Sequence, residues 1–173
     1  WRRLGSDGAW VPLLEARGVP VARLRPANCG FDVAWSEHFA TRFAGVPVKA
    51  VTGSAGGVAT PGEFNITASG IEGGLVYALS APLRDALERE GRAALVLDLA
   101  PGRSAQRLAA DLARPRGRDS LANHLRRRAG IDGVKAGLLH EFGRIDGATA
   151  PAGLAAEIKA LAVPLVAPRP LDE

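Results

Sequence analysis

Residues 62–77 read Gly62-Glu63-Phe64-Asn65-Ile66-Thr67-Ala68-Ser69-Gly70-Ile71-Glu72-Gly73-Gly74-Leu75-Val76-Tyr77. The alternation of Phe64, Ile66 and Ala68 marks a strand with one wet face. Further on, Leu75, Leu79, Leu83 and Leu87 recur every fourth residue, which is a helical stripe. The stretch is therefore expected to run from strand through a polar, glycine-rich turn straight into a helix. Backbone N–H groups at such a helix start can face a ligand with the favourable end of the dipole behind them. The same glycines serve a tight turn and close packing, and their spacing is neither G-x-G-x-x-G nor a P-loop. Pro82 removes one backbone donor and predicts a restart of the helix after Ser80, with an end at Gly91.

Outward from this point the pattern predicts an α+β chain. A first helix starts near Ser6 and Asp7 and ends at Gly18, with Trp10, Leu13 and Leu14 as its apolar face. Strands are expected over 19–25, 29–35, 46–52 and 63–68, with a short Ser36-capped helix between the second and third. Residues 53–57 and 60–62 carry turn chemistry, and an antiparallel meander is the simplest connection. The apolar run 93–99 should lie inside the sheet. After Pro101-Gly102, Ser104, Ser120 and Asp132 each precede a helical stripe; Pro151 then opens a last helix, and 163–166 returns to strand. The expected division is a leading helix at 1–18, a β unit at 19–100 plus 163–168, a small helical unit at 101–150, and a returning helix and strand at 151–173.

At 173 residues, 47% hydrophobic and 23% charged, the composition excludes a disordered or disulfide-built chain. No apolar run approaches the ~20 residues of a membrane span, and no signal-peptide core follows the first residues, so a cytoplasmic setting is expected. The single Cys29 alternates with Phe31 and Val33, which places its thiol on a buried strand face. With three His and one Cys no metal site is expected. The lack of Met and the start at Trp1 read as a piece of a longer polypeptide. The pI of about 10.0 comes from arginine, densest at 114–118 and 126–128. No aromatic residue interleaves those arginines, so they read as a solvated helical face and nucleic acid is not expected as a partner. The competing reading is a basic small-barrel module that binds nucleic acid through these helices. His38, His124 and His140 read as surface residues, and Glu63 and Glu72 as solvent-facing carboxylates beside the glycine-rich corner. No residue qualifies as a general base.

The stretch 62–77 resembles the "G-E-hydrophobic-x-x-T-x-x-G-hydrophobic-x-G" signature of the BaiN-like, aminoacetone-oxidase-like bacterial flavoproteins. Leu4-Gly5-Ser6-Asp7-Gly8 with Gly18, then Arg25-Pro26-Ala27, is similar to the segment that follows the first part of that family's FAD-binding domain. Val96-Leu97-Asp98-Leu99-Ala100-Pro101 is similar to its strand before a helical unit, whereas Glu72-Gly73-Gly74 departs from the "S-G-P" of many members. The resemblance implies a small translation-factor-like β-barrel with a helical satellite, inserted in a Rossmann-like FAD domain of the same polypeptide. That FAD-binding domain would be the partner, and a small molecule the substrate. It implies FAD held mainly by that other domain, with NAD(P)H as a further cofactor, and an insert that caps the flavin site but is inactive alone. The residues it makes cofactor-binding or substrate-facing are Gly5, Ser6, Asp7, Gly8, Thr67, Gly70, Ile71, Gly73 and Gly74.

Overall fold

Residues 62–77 fold as a hairpin with a helix behind it, in a computed structural model that describes residues 5 and 7–171. Strand β3 (Val58–Ile66) turns at Ala68-Ser69 into β4 (Gly70–Glu72), closed by the pair Ile66 and Ile71 and by Thr67 N–H donating to Gly70 O at 2.8 Å. Helix α3 (Gly74–Ala78) follows, so a strand intervenes where the sequence pattern predicts turn running directly into helix. Leu79 leaves helical geometry and α4 (Ser80–Glu90) restarts with Pro82 in its first turn, ending on a left-handed Gly91 as expected.

Before this corner, α1 (Trp10–Glu15), β1 (Phe31–Asp32), α2 (Glu37–Phe43) and β2 (Pro47–Ala55) follow in order. β2 and β3 form one long hairpin whose loop is Gly56-Gly57, both at positive φ as a two-residue loop of this kind requires. Gly53 to Ala55 and Thr60 to Gly62, expected as turns, are therefore strand. The alternation of Val46, Val48 and Ala50 that a strand over 46–52 would give breaks at a bulge between Val48 and Val51, where Ala50 takes φ 50°. The inward set becomes Val48, Val51 and Gly53, and Lys135 Nζ donates to the Ala50 carbonyl at 3.0 Å and to that of Leu99 at 2.8 Å.

β5 (Ala93–Asp98), α5 (Ala105–Leu112), α6 (Leu121–Ala129), α7 (Gly133–Phe142), α8 (Pro151–Lys159), β6 (Leu161–Leu165) and β7 (Ala167–Pro168) complete the chain. Every strand pairing is antiparallel, in the order β6-β5-β2-β3-β4-β1-β7, and β5 lies inside the sheet as its apolar run predicts. No ladder joins β6 to β7. Those two edges are nevertheless successive halves of one segment, 161–168, whose first half pairs with β5 and whose second half pairs with β1. The sheet thus curls round in a barrel-like course without a closed ring of hydrogen bonds.

Ser36, Ser104 and Ser120 each accept the N–H three residues on, the caps read from sequence, whereas Asp132 makes no side-chain cap. Leu108, Leu125 and Leu138 from these helices join Leu97, Leu99 and Val51 of the sheet in one core cluster. Two expectations fail near the start. Residues 19–25 form no strand, because Pro20 and Pro26 lack donors and the segment is tied by side chains of α4 instead. The Trp10, Leu13 and Leu14 face of α1 stays exposed, at 49%, 59% and 37%.

Candidate functional site

The segment 25–27 is held in place by α4 rather than by a ladder. Arg25 pairs with Asp85 at 2.5 Å and with Glu88; Arg84 donates to the Pro26 carbonyl, and the Ser80 hydroxyl donates to the Ala27 carbonyl. Fixing these carbonyls presents residues 26–31 along one wall of a cleft of about 580 Å³. The opposite wall is the tip and outgoing strand of the β3–β4 hairpin, with Thr67, Ser69, Ile71 and Glu72, and Arg169 to Leu171 close the rim. Tyr77 of α3 reaches the same cleft with 36% of its surface exposed.

Two glycines allow the walls to meet. An added Cβ at Gly70 would collide with the Phe31 carbonyl, and one at Gly30 would lie 2.7 Å from the Ile71 carbonyl. Both positions therefore serve the β1–β4 pairing, in which Phe31 faces Ile71 and Asp32 faces Gly70. Arg169 extends this arrangement: its N–H donates to Gly30 O at 2.9 Å and its guanidinium pairs with Asp32 at 2.8 Å. Cys29 lies beneath, only 7% exposed, and burial pushes its thiol pKa up while Arg84 pulls it down. The buried-face assignment of this cysteine holds, and the thiol is not set up as a nucleophile.

Of the residues singled out from sequence, Thr67 and Ile71 line the cleft. Gly70 shapes it from beneath. Gly73, at φ 111°, sits against Phe64 and Asn65, and Gly74 has open space at its Cβ position; neither lines the cleft. The five-residue α3 offers only a weak dipole at this glycine-rich corner. Gly5, Asp7 and Gly8 lie apart from the lining, with the Asp7 carboxylate capping Ala9 N–H at 3.0 Å, and Ser6 lies outside the described residues. Sequence reasoning missed Asn28, Tyr77 and Arg169. The sole tyrosine, at the end of the quoted stretch, was the one available signal.

The remaining candidates are structural. His38 and His140 are exposed as expected, but His124 is buried at 5% with its Nε2 3.0 Å from the Leu112 carbonyl, joining α6 to α5. The i, i+4 register that puts it beside Ser120's cap turns it inward, which a lone polar residue does not reveal. Asp98 ends its strand by accepting from Ala100 N–H at 3.0 Å and pairing with Lys159 of α8 at 2.5 Å. Among the described residues no cluster of His, Cys, Asp and Glu suits a metal ion, and no helix is long and apolar enough to cross a membrane.

A comparison with curated proteins finds no match. The family model described as HI0933-like protein barrel and H2TH domain matches residues 25–173, which spans the sheet, the helices α5 to α8 and both walls of the cleft. The motif resemblance to BaiN-like flavoproteins agrees with it. The chain belongs to the HI0933-like family, of which it carries the barrel and H2TH domain.

Proposed function

We propose that this chain is the substrate-side insert of a bacterial, cytoplasmic FAD-dependent oxidoreductase, with the cleft between residues 26–31 and 67–72 facing the flavin site. The observation that carries this reading is the run of residues 30–32 beside 167–169, through the β1–β7 pairing and the Arg169 contact to Gly30. A domain inserted into another must leave and rejoin its parent at one place, and these two segments meet at the rim of the cleft. The family itself supports a flavoprotein setting.

The residues present do not fit the dinucleotide itself. Among the described residues all the pairings are antiparallel, so none of them forms a βαβ crossover that would place a glycine loop and helix start at a pyrophosphate, and the sequence holds no G-x-G-x-x-G. FAD, and NAD(P)H if the parent uses it, would be held by the FAD-binding domain of the same polypeptide. What this chain supplies is a shaped wall with Asn28, Thr67 and Tyr77 as polar handles for a small-molecule substrate. The test is twofold. The chain alone, mixed with FAD and desalted, should retain no flavin absorbance; stoichiometric yellow protein would overturn the assignment. In the flavoprotein that carries this domain, Tyr77→Phe and Thr67→Ala should raise KM several-fold without shifting Tm, and unchanged kinetics in both would remove the cleft from the site.

A further inference from the structure

We propose that a second cleft, between the start of α5 and the end of α6, binds the phosphate backbone of a nucleic acid without reading its sequence. It measures about 740 Å³ and is lined by Arg103, Arg107, Arg114, Arg127 and Arg128 around the single carboxylate of Asp111. The arginines that look in sequence like a solvated helical face are here brought to one concavity from two helices and a loop.

The pairing within the cleft leaves charge to spare. Asp111 accepts from Arg103 at 2.6 Å and Arg107 at 3.3 Å, with Arg114 at 3.8 Å. One carboxylate thus gathers three guanidiniums, and Arg127 turns to Asp119 at 3.0 Å. Arg128 forms none of the described ion pairs or hydrogen bonds. The surplus donors belong to planar forks suited to phosphate oxygens. Arg107 and Arg114 keep 73% and 61% of their side chains in solvent, so an incoming phosphate need not break a buried ion pair to reach them.

The same geometry selects a polymer over a single phosphate group. Arg116 and Arg118, exposed in the loop from α5 to α6, carry the positive strip beyond the cleft, and one phosphate cannot engage so many donors. No aromatic side chain lines it, so nothing stacks on bases and recognition stops at the backbone. This activity is independent of the flavin-side cleft, whose lining shares no residue with it.

The experiment is fluorescence anisotropy of the chain with labelled 20-nucleotide single-stranded and duplex DNA and RNA, titrated over salt. Binding at about 50 mM salt should weaken linearly in log–log form, with a slope of about −0.9 per duplex phosphate engaged. Arg114→Glu and Arg128→Glu should each weaken binding at least several-fold and flatten the slope, and the Gln variants, which keep more of the side-chain stem, should do so to a smaller degree. Arg89→Glu on α4, outside the cleft, should bind like the parent chain. The proposal is overturned by no binding at low salt, by salt-independent binding, or by equal losses in the Arg89 control. Capture by phosphatidylserine vesicles with none by oligonucleotides would overturn it as well.

Discussion

At the residue scale, glycine and lysine positions decide more than any titratable candidate. Gly73 sits at φ 111° against the Phe64 backbone, a conformation that a β-branched residue cannot share. Gly73→Val should therefore cost on the order of 1–3 kcal/mol in urea unfolding. A variant of unchanged stability but lost turnover in the parent enzyme would return Gly73 to the ligand. Lys135 satisfies the bulge carbonyl of Ala50 together with that of Leu99. Lys135→Ala should destabilise by about 1–3 kcal/mol because it strands the part-buried Leu99 carbonyl. Cys29, buried and raised in pKa, should react with a disulfide reagent far more slowly than free cysteine and at full rate in denaturant. Its burial was legible because period-2 alternation survives even where the strand itself is only Phe31–Asp32. The left-handed Ala50 was not legible, since a bulge answers to the partner strand rather than to local pattern.

At the element scale, helix starts were the most legible feature because a cap is a local transaction. Ser104 and Ser120 accept from Arg107 and Asn123 N–H at 3.1 and 3.3 Å. Ser104→Ala and Ser120→Ala should each cost about 1 kcal/mol, additively, since the caps share no partner; a null effect on thermal unfolding would show that packing alone sets these boundaries. Strands were read less well. Pro61 and Gly62 look like a turn, yet they sit in β3 opposite Thr52 and Val51, where Pro61 lies beyond the short β4 ladder and owes no hydrogen bond on that side. Gly53 and Gly62 let Leu75 of α3 press onto the β2–β3 hairpin, with would-be Cβ contacts of 3.2 and 3.4 Å. Of the cleft, the hairpin wall was legible from its motif; the 26–31 wall was not, because its shape comes from Ser80 and Arg84 more than 50 residues away.

At the scale of the whole molecule, charge and continuity govern behaviour. Asp85 is held below the ordinary carboxylate pKa by its hydrogen bond from Arg84 and by Arg25. Asp111 is pushed up by burial but more strongly down by Arg103 and Arg107, and Asp146 is lowered by hydrogen bonds from Thr149 and Ala148. Folded values below unfolded ones mean stability that is present above about pH 4 and is lost as pH falls through the folded values. Urea midpoints should be level above about pH 5 as far as these groups are concerned and fall below about pH 4, and a midpoint that rises on acidification would contradict the pairing. By itself the sequence determined the α+β class, the helix starts capped by Ser36, Ser104 and Ser120, the restart at Ser80, the interior place of β5 and the family motif, because each rests on neighbours within a few residues, whereas the first helix starts at Trp10 rather than near Ser6 and Asp7. Only the tertiary structure decided that segment 161–168 serves both edges of one sheet, that His124 is buried, and that arginines of α5, α6 and their loop share a cleft. Those depend on which distant segments meet, and local periodicity carries no information about contacts whose cost and reward are set by long-range chain closure.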